Sequence, residues 1–215
     1  MDQIVRSLPV LLQALQQTLL LSGLTILLAA LLGFAIGEIS ILGGRAASWL
    51  VRRYVEFVRG IPLLVFIFLS YYLLPAAGVQ TDAFTTAVLS LVLYFSAFVA
   101  EIVRGAIRSI PQAQISSGLA LGMRRFKVER IVILPQALRI ALPPLLNLCS
   151  IIVKSTSLVS IIGVWELTYA TREIVMRTVL PFEFFIFAMI IYFAVCYSIV
   201  RTSRIIERKM ALAHR

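Results

Sequence analysis

The chain has 215 residues, of which 60% are hydrophobic and only 14% charged, and its formal net charge is +10. This composition excludes an ordinary soluble globular domain, because such domains carry about 25% charged residues. Nucleic-acid binding explains the positive charge poorly, since most basic residues flank apolar runs, where they anchor and orient membrane spans. The composition is typical of an integral membrane protein.

Five apolar segments are predicted to cross the membrane as helices, since about 20 apolar residues span the hydrocarbon core. In chain order they cover about residues 16–37, 55–75, 84–103, 131–153 and 182–200. The second has a short apolar centre, IPLLVFIFLSYYLL at 61–74, so this span must extend upstream, tilt or thin the bilayer. The predicted fold class is all-α, with one transmembrane domain over residues 1–215.

The basic residues predict the orientation of these spans, because cytoplasmic loops are enriched in Lys and Arg. Most of them fall between spans one and two, between spans three and four, or after span five: Arg45, Arg52, Arg53, Arg59; Arg104, Arg108, Arg124, Arg125, Lys127, Arg130; Arg201, Arg204, Arg208, Lys209, Arg215. The opposite side holds at most Arg6, Lys154, Arg172 and Arg177. We therefore expect the N-terminus outside, the C-terminus in the cytoplasm and a cytoplasmic loop at about 104–130.

The fourth span is unusually polar for a membrane helix. It contains Arg139 and Asn147 as well as interior prolines, which remove backbone hydrogen bonds. Such breaks persist in lipid only where protein or water satisfies the freed groups. We expect this helix to face a protein interior or a wet path; alternatively, Arg139 lies near the headgroups and snorkels.

No catalytic or nucleotide-binding motif occurs in the chain. A GxxxxGK[ST] loop, an HExxH motif and a Ser/His/Asp set are all missing from the sequence. Within the spans, Glu101 is the one candidate for proton relay, and Arg104 at i+3 is expected to pair with it. Any energy for transport must therefore come from a partner, unless the chain is an ATP-independent channel or secondary transporter for small polar solutes.

The stretch IPQAQISSGLALG at 110–122 predicts a short surface helix between two arginine clusters. Pro111 suits a first helical turn, and Ile115, Leu119 and Phe126 can share one face. Gly118 and Gly122 leave room for another protein to approach. The stretch is interpreted as a docking helix, with a plain interfacial helix as the alternative.

Five stretches in register resemble the membrane permease subunit of bacterial ABC importers of the polar amino-acid family. They are YVEFVRGIPLLV (54–65), AEIVRGAIRSIP (100–111), ALG (120–122), ILPQALRIALPPLLN (133–147) and KSTSLVSIIGVWEL (154–167). The resemblance implies a type I importer fold in the bacterial inner membrane. It also implies as partners a second permease subunit, identical or homologous, cytoplasmic ATP-binding cassette subunits and an extracytoplasmic solute-binding protein. ATP would be used by the partner, with no cofactor bound by this chain.

The resemblance places the ATPase-coupling residues in the 110–122 stretch: Gln114, Ser116, Ser117, Gly118 and Gly122. The family pattern begins Glu-Ala-Ala where this chain has Ser116, Ser117 and Gly118, whereas Gly122 fits. It therefore implies that Gly118 tolerates alanine. The missing glutamate removes a charged contact, and a heterodimer whose partner has the fuller motif would compensate for it.

The resemblance also suggests a polar substrate path at Lys154, Ser155, Thr156 and Ser157. Family members often have an acidic residue directly after the lysine, and its absence here argues against a dedicated Arg or Lys importer. A cation and hydroxyls would suit a substrate carboxylate. Alternatively, the hydroxyls only cap the end of a broken helix.

Overall fold

The computed structural model describes residues 2–212, and every regular element in that range is helical. The first half of the chain forms α1 Asp2–Leu42, α2 Gly44–Gly60, α3 Leu63–Ala76, α4 Ala83–Arg108 and α5 Gln112–Ala120. The second half forms α6 Arg125–Val128, a π-helical turn Glu129–Ile133, α7 Leu134–Ser155, a 3₁₀ segment Thr156–Ile162, α8 Leu167–Thr178 and α9 Pro181–Leu212. Arg215, counted above in the basic tail, lies outside the described residues.

Four helical stretches are long and apolar enough to cross a membrane: Gln3–Leu42, Ala83–Arg108, Arg125–Ile162 and Pro181–Arg208. The predicted spans at 16–37, 84–103, 131–153 and 182–200 lie within them. α2 and α3 together would form a fifth, but the two helices are bent by 105° relative to each other. The all-helical prediction and a count of four or five spans agree with the structure.

The bend between α2 and α3 changes the predicted second span. Residues 55–60 belong to α2 and do not continue α3 in line, although the sequence predicted one span over 55–75. The cause is Pro62, which precedes α3 and forces Ile61 into an extended conformation (φ −101°, ψ 133°). Upstream extension therefore does not lengthen this short span as a straight helix.

The centre of the molecule is α4, which packs against α1, α2, α3 and α7. α1 approaches it closely because Gly33 and Gly37 face Val99 and Val103, one helical turn apart. A Cβ atom at Gly33 would lie only 2.5 Å from the Val99 Cβ and 2.6 Å from the Ser96 carbonyl oxygen. Small residues four apart permit such close backbone contact in membrane helices, so the α1–α4 interface depends on these glycines.

The fourth predicted span is irregular at its ends and continuous across its interior prolines. α7 runs through Pro143 and Pro144, whereas the π-helical turn precedes it and the 3₁₀ segment follows it. Arg139 and Asn147 are exposed in the single chain. The expected ion pair between Glu101 and Arg104 is confirmed on α4.

Candidate functional site

The predicted docking helix is α5, and a complete turn motif ends it. The Gly122 N–H donates to the Leu119 carbonyl at 2.9 Å, and the Met123 N–H donates to the Gly118 carbonyl at 3.1 Å. These two bonds form a Schellman motif, which requires a left-handed residue at its centre. Gly122 supplies it with φ +77°, and no atom lies within 4 Å of the position that its Cβ would take. Within this chain, Gly122 is therefore needed for its backbone angle rather than for close packing.

Gly118 has an internal role instead of an external one. It is buried, and a Cβ atom there would lie 2.8 Å from Cγ2 and 3.1 Å from Cγ1 of Val128 on α6. Real carbon–carbon contacts lie at about 3.5–4.0 Å, so an alanine would crowd this site. These distances change two expectations. Gly118 does not open the outer surface, and the packing indicates that alanine at this position is destabilising.

A side-chain pair joins α5 to the beginning of α7. The Gln136 Nε2 donates to the Gln114 Oε1 at 2.6 Å and to the Val132 carbonyl at 2.7 Å. Both glutamines are half-buried. Together with the contact between Gly118 and Val128, this pair fixes α5 against the segment that leads into α7.

The outer side of α5 and its following turn is apolar and exposed. Leu119, Leu121 and Phe126 are 46%, 82% and 61% exposed, and Ser116 and Ser117 are exposed beside them. Ile115, predicted on the same face, is half-buried and packs against the main core instead. The outer surface of α5 and its following turn is therefore a small apolar patch flanked by two hydroxyls.

The other predicted site lies at the far end of α7. Lys154 and Ser157 line one cavity of about 450 Å³, together with Met189, Tyr192 and Phe193 of α9. An exposed ammonium group beside a hydroxyl can bind a carboxylate. Ser155 does not line this cavity.

The neighbouring hydroxyls at this end of α7 are bonded to the local backbone. Thr156 is fully buried and donates to the Val153 carbonyl at 2.8 Å, and Ser157 donates to the Lys154 carbonyl at 2.7 Å. For Thr156 this geometry favours the alternative in which the hydroxyl only closes the helix end. Ser157 keeps its lone pairs free on the cavity side.

A buried carboxylate behind the cavity was missed at the level of sequence. Glu166 is fully buried, accepts the Tyr169 N–H at 2.8 Å as the N-cap of α8, and accepts the Tyr192 hydroxyl at 2.8 Å. Burial raises the pKa of the Glu166 carboxyl. Because Tyr192 also lines the cavity, Glu166 fixes the position of one cavity wall. Its only signal in the sequence was an acidic residue just before a short amphipathic helix, which is a weak N-cap pattern.

Comparison with known proteins yields one family over most of the chain. A family model described as "Binding-protein-dependent transport system inner membrane component" matches residues 26–212. The chain is 35% identical over 208 residues to the glutamine transport system permease protein GlnP of Escherichia coli (strain K12), covering 96% of the chain and 95% of that protein. It is 32% identical over 207 residues to the probable amino-acid ABC transporter permease protein YckA of Bacillus subtilis (strain 168), covering 96% and 92%.

Two solved structures have the same arrangement of helices. A chain from a crystal structure of an amino acid ABC transporter with histidines superposes with a TM-score of 0.90 at 32% identity, covering 96% of both chains. A chain of the MetNI methionine ABC transporter superposes with a TM-score of 0.71 at 18% identity, covering 91% of this chain and 95% of the other. The second likeness concerns the fold alone.

Proposed function

The chain belongs to the family of binding-protein-dependent transport system inner membrane components, and on this premise we propose that it forms half of the translocation path for a polar amino acid or a related compound. It is a permease subunit of an ABC importer and a multi-pass protein of the inner membrane. Its relatives are described as amino-acid permeases, including one for glutamine, which supports the substrate class. The family disfavours an ATP-independent channel or secondary transporter.

The proposed topology has five spans, an external N-terminus and a cytoplasmic C-terminus, with α2 and α3 contributing one bent span. The asymmetric distribution of basic residues supports it. In this orientation, α5 and its apolar patch lie in the cytoplasm.

The observation that carries the coupling proposal is the contact of α5 with the segment leading into α7. α7 has 22 residues and is therefore about 33 Å long. Gln114 and Gly118 hold α5 against the beginning of α7, and Lys154 lies near the end of α7. An ATPase that moves α5 would move α7 as a rigid body and so change the cavity at Lys154. The π-helical turn between α6 and α7 is the type of irregularity often found at functional sites.

In this proposal, the partners are cytoplasmic ATP-binding cassette subunits, a second permease subunit and an extracytoplasmic solute-binding protein. ATP is bound and hydrolysed by the cassette subunits, and this chain binds no cofactor. Ser116, Ser117 and the apolar patch would contact the cassette subunit. Lys154 would attract the carboxylate of the substrate, and the Ser157 hydroxyl oxygen, whose proton is donated to the Lys154 carbonyl, would accept a hydrogen bond from the substrate's ammonium group.

The test is uptake of labelled amino acids by the complex reconstituted in liposomes with its binding protein and ATPase. Accumulation that depends on ATP supports the function, and no accumulation over a broad amino-acid panel contradicts it. Lys154→Gln should raise the KM for uptake about tenfold, as expected for a charge-assisted bond of about 1.5 kcal/mol. The matched control Lys127→Gln, on α6 and away from the cavity, should leave KM unchanged. An unchanged KM in Lys154→Gln would remove Lys154 from the path but leave the importer assignment intact.

A further inference from the structure

A second polar cavity lies away from the proposed transport path, between the beginning of α2 and the end of α4. It has a volume of about 420 Å³. Arg45 and Arg52 of α2 face Arg104 and Arg108 of α4 across it, and Trp49 forms part of the wall. Its lining contains four guanidinium groups and no acidic residue. Such a cavity is suited to an anion.

The carboxylates near these arginines lie in a different cavity. Arg52 and Arg104 also line an adjacent cavity of about 520 Å³, and there they meet Glu56 and Glu101. The Arg52 Nε lies 3.6 Å from Glu56, and Arg104 pairs with Glu101. Within residues 2–212, Arg45 and Arg108 have no ion-pair partner. Two of the four positive charges of the first cavity, those of Arg45 and Arg108, are therefore not neutralised by neighbouring carboxylates.

The position of α2 indicates where the anion comes from. α2 alternates arginines with exposed apolar side chains, including Trp49 (51% exposed), Leu50 (62%) and Phe57 (67%). It is also bent by 105° away from α3. Trp49, four residues after Arg45, shares the basic face, whereas Leu50 and Phe57 lie on a separate apolar face. A basic amphipathic helix of this kind lies in the membrane interface. A ligand in the cavity would thus have its charge beside the arginines and an apolar part beside Trp49.

We propose that this cavity binds the phosphate headgroup of an anionic membrane lipid. Basic pockets between membrane helices bind such headgroups, because guanidinium groups bond phosphate oxygens in a bidentate manner. The proposal concerns the lipid surroundings of the chain and does not depend on which substrate it transports.

The experiment uses Trp49 as the reporter. Trp49 and Trp165 are the two tryptophans of the chain. The full chain carrying Trp165→Phe is reconstituted in phosphatidylcholine nanodiscs that contain a small, equal fraction of brominated phosphatidylglycerol or brominated phosphatidylcholine. Trp49 fluorescence should be quenched more strongly by the brominated phosphatidylglycerol. Each arginine should contribute a roughly fivefold preference, so Arg45→Gln/Arg108→Gln should lower the selectivity about 25-fold.

The controls separate a site from general attraction. Arg201→Gln/Arg204→Gln removes the same charge from exposed positions of α9 outside the cavity and should leave the selectivity unchanged. Arg45→Lys/Arg108→Lys keeps the charge and should retain most of the preference for the anionic lipid. This variant therefore separates loss of charge from misfolding of the Gln variant. Equal quenching by the two brominated lipids would overturn the proposal.

Two further outcomes would assign the cavity to another occupant. Equal quenching by the two lipids, combined with a change of Trp49 fluorescence on adding inorganic phosphate but not chloride at equal ionic strength, would point to a soluble phosphate compound. Equal quenching combined with loss of ATPase co-purification in Arg45→Gln/Arg108→Gln would point to a protein contact. Either result contradicts lipid binding.

Discussion

Gly118→Ala tests whether α5 is held to the body of the permease by close packing. The new methyl carbon would lie 2.8 Å from Cγ2 of Val128, well inside a contact distance of about 3.5–4.0 Å. Val128 is only 1% exposed and β-branched, so it has little freedom to turn away. Overpacking of this kind costs about 1–3 kcal/mol, against a helix gain of about 0.5–1 kcal/mol for replacing glycine. The net loss should be at most about 2.5 kcal/mol, and about 1.2 kcal/mol from the middle of each range.

The lost packing energy should appear as weaker binding of the ATPase to α5. If the strain is relieved by displacing α5, the ATPase should bind the permease about eightfold more weakly. Substrate-stimulated ATP hydrolysis should fall with it, at matched protein amount. Binding of purified ATPase to the chain in nanodiscs measures the first effect, and ATP turnover with binding protein and substrate measures the second.

Two comparisons make the interpretation specific. Val128→Ala removes the two methyl groups that crowd residue 118, so Gly118→Ala/Val128→Ala should bind the ATPase better than the sum of the two single changes predicts. Gly105→Ala on α4 is the matched control, because no atom lies within 4 Å of its Cβ position. The reasoning is refuted if Gly118→Ala behaves like Gly105→Ala and the double variant shows no coupling.

Substitutions at three further positions probe two other glycines and the buried carboxylate. Gly33→Ala should lower the melting temperature of the detergent-solubilised chain by several degrees, because its Cβ would meet Val99 and the backbone. Gly23→Ala is the control, since its Cβ meets nothing within 4 Å and should leave the melting temperature unchanged. Equal melting temperatures of the two variants would contradict the close α1–α4 contact. Gly122→Asn should keep most ATPase coupling, because Asn tolerates the left-handed backbone angle. Gly122→Trp should destabilise the turn by about 1–2 kcal/mol. A fully active Trp variant would contradict a role of α5 in coupling. Because burial raises the pKa of Glu166 above its ordinary value of 4.5, the native state holds this proton more tightly, and stability should fall as pH rises from 4.5 through the raised pKa. Glu166→Gln, whose amide oxygen can still accept the Tyr169 N–H, should therefore gain stability relative to the wild type over that range, and parallel melting curves would contradict this.

The membrane architecture could be predicted because it depends on the length of apolar runs. The runs near Thr18, Phe84, Ile131 and Phe182 each lie in helices long enough to cross a bilayer. The helix boundaries were harder to predict from the sequence. α1 begins at Asp2, although polar residues such as Gln16 gave no reason to extend the first span upstream. A helix that leaves the hydrocarbon continues wherever its backbone hydrogen bonds are kept, and hydropathy does not report this.

The presence of a short helix at α5 was predictable from the sequence, but the contact made by each of its glycines was not. Gly122 follows from a local rule, since a glycine just past a short helix commonly closes it. Gly118 depends on Val128, which is contributed by another helix and brought near by the turn between them. The Glu166–Tyr192 bond has the same origin, because it joins residues of two different helical segments and does not follow from local sequence.

The same geometry separates two requirements of coupling. In the proposed mechanism, movement passes from α5 to α7 through contacts inside this chain, among them the glutamine pair at 2.6 Å and the glycine against Val128. Ser116, where the resemblance implies a glutamate, is exposed and takes no part in them. In the proposed mechanism, the missing carboxylate would therefore affect how strongly a partner holds α5 rather than how α5 moves the path. With the apolar patch at Leu119, Leu121 and Phe126 intact, we expect a subunit without that charge still to transmit the motion it receives.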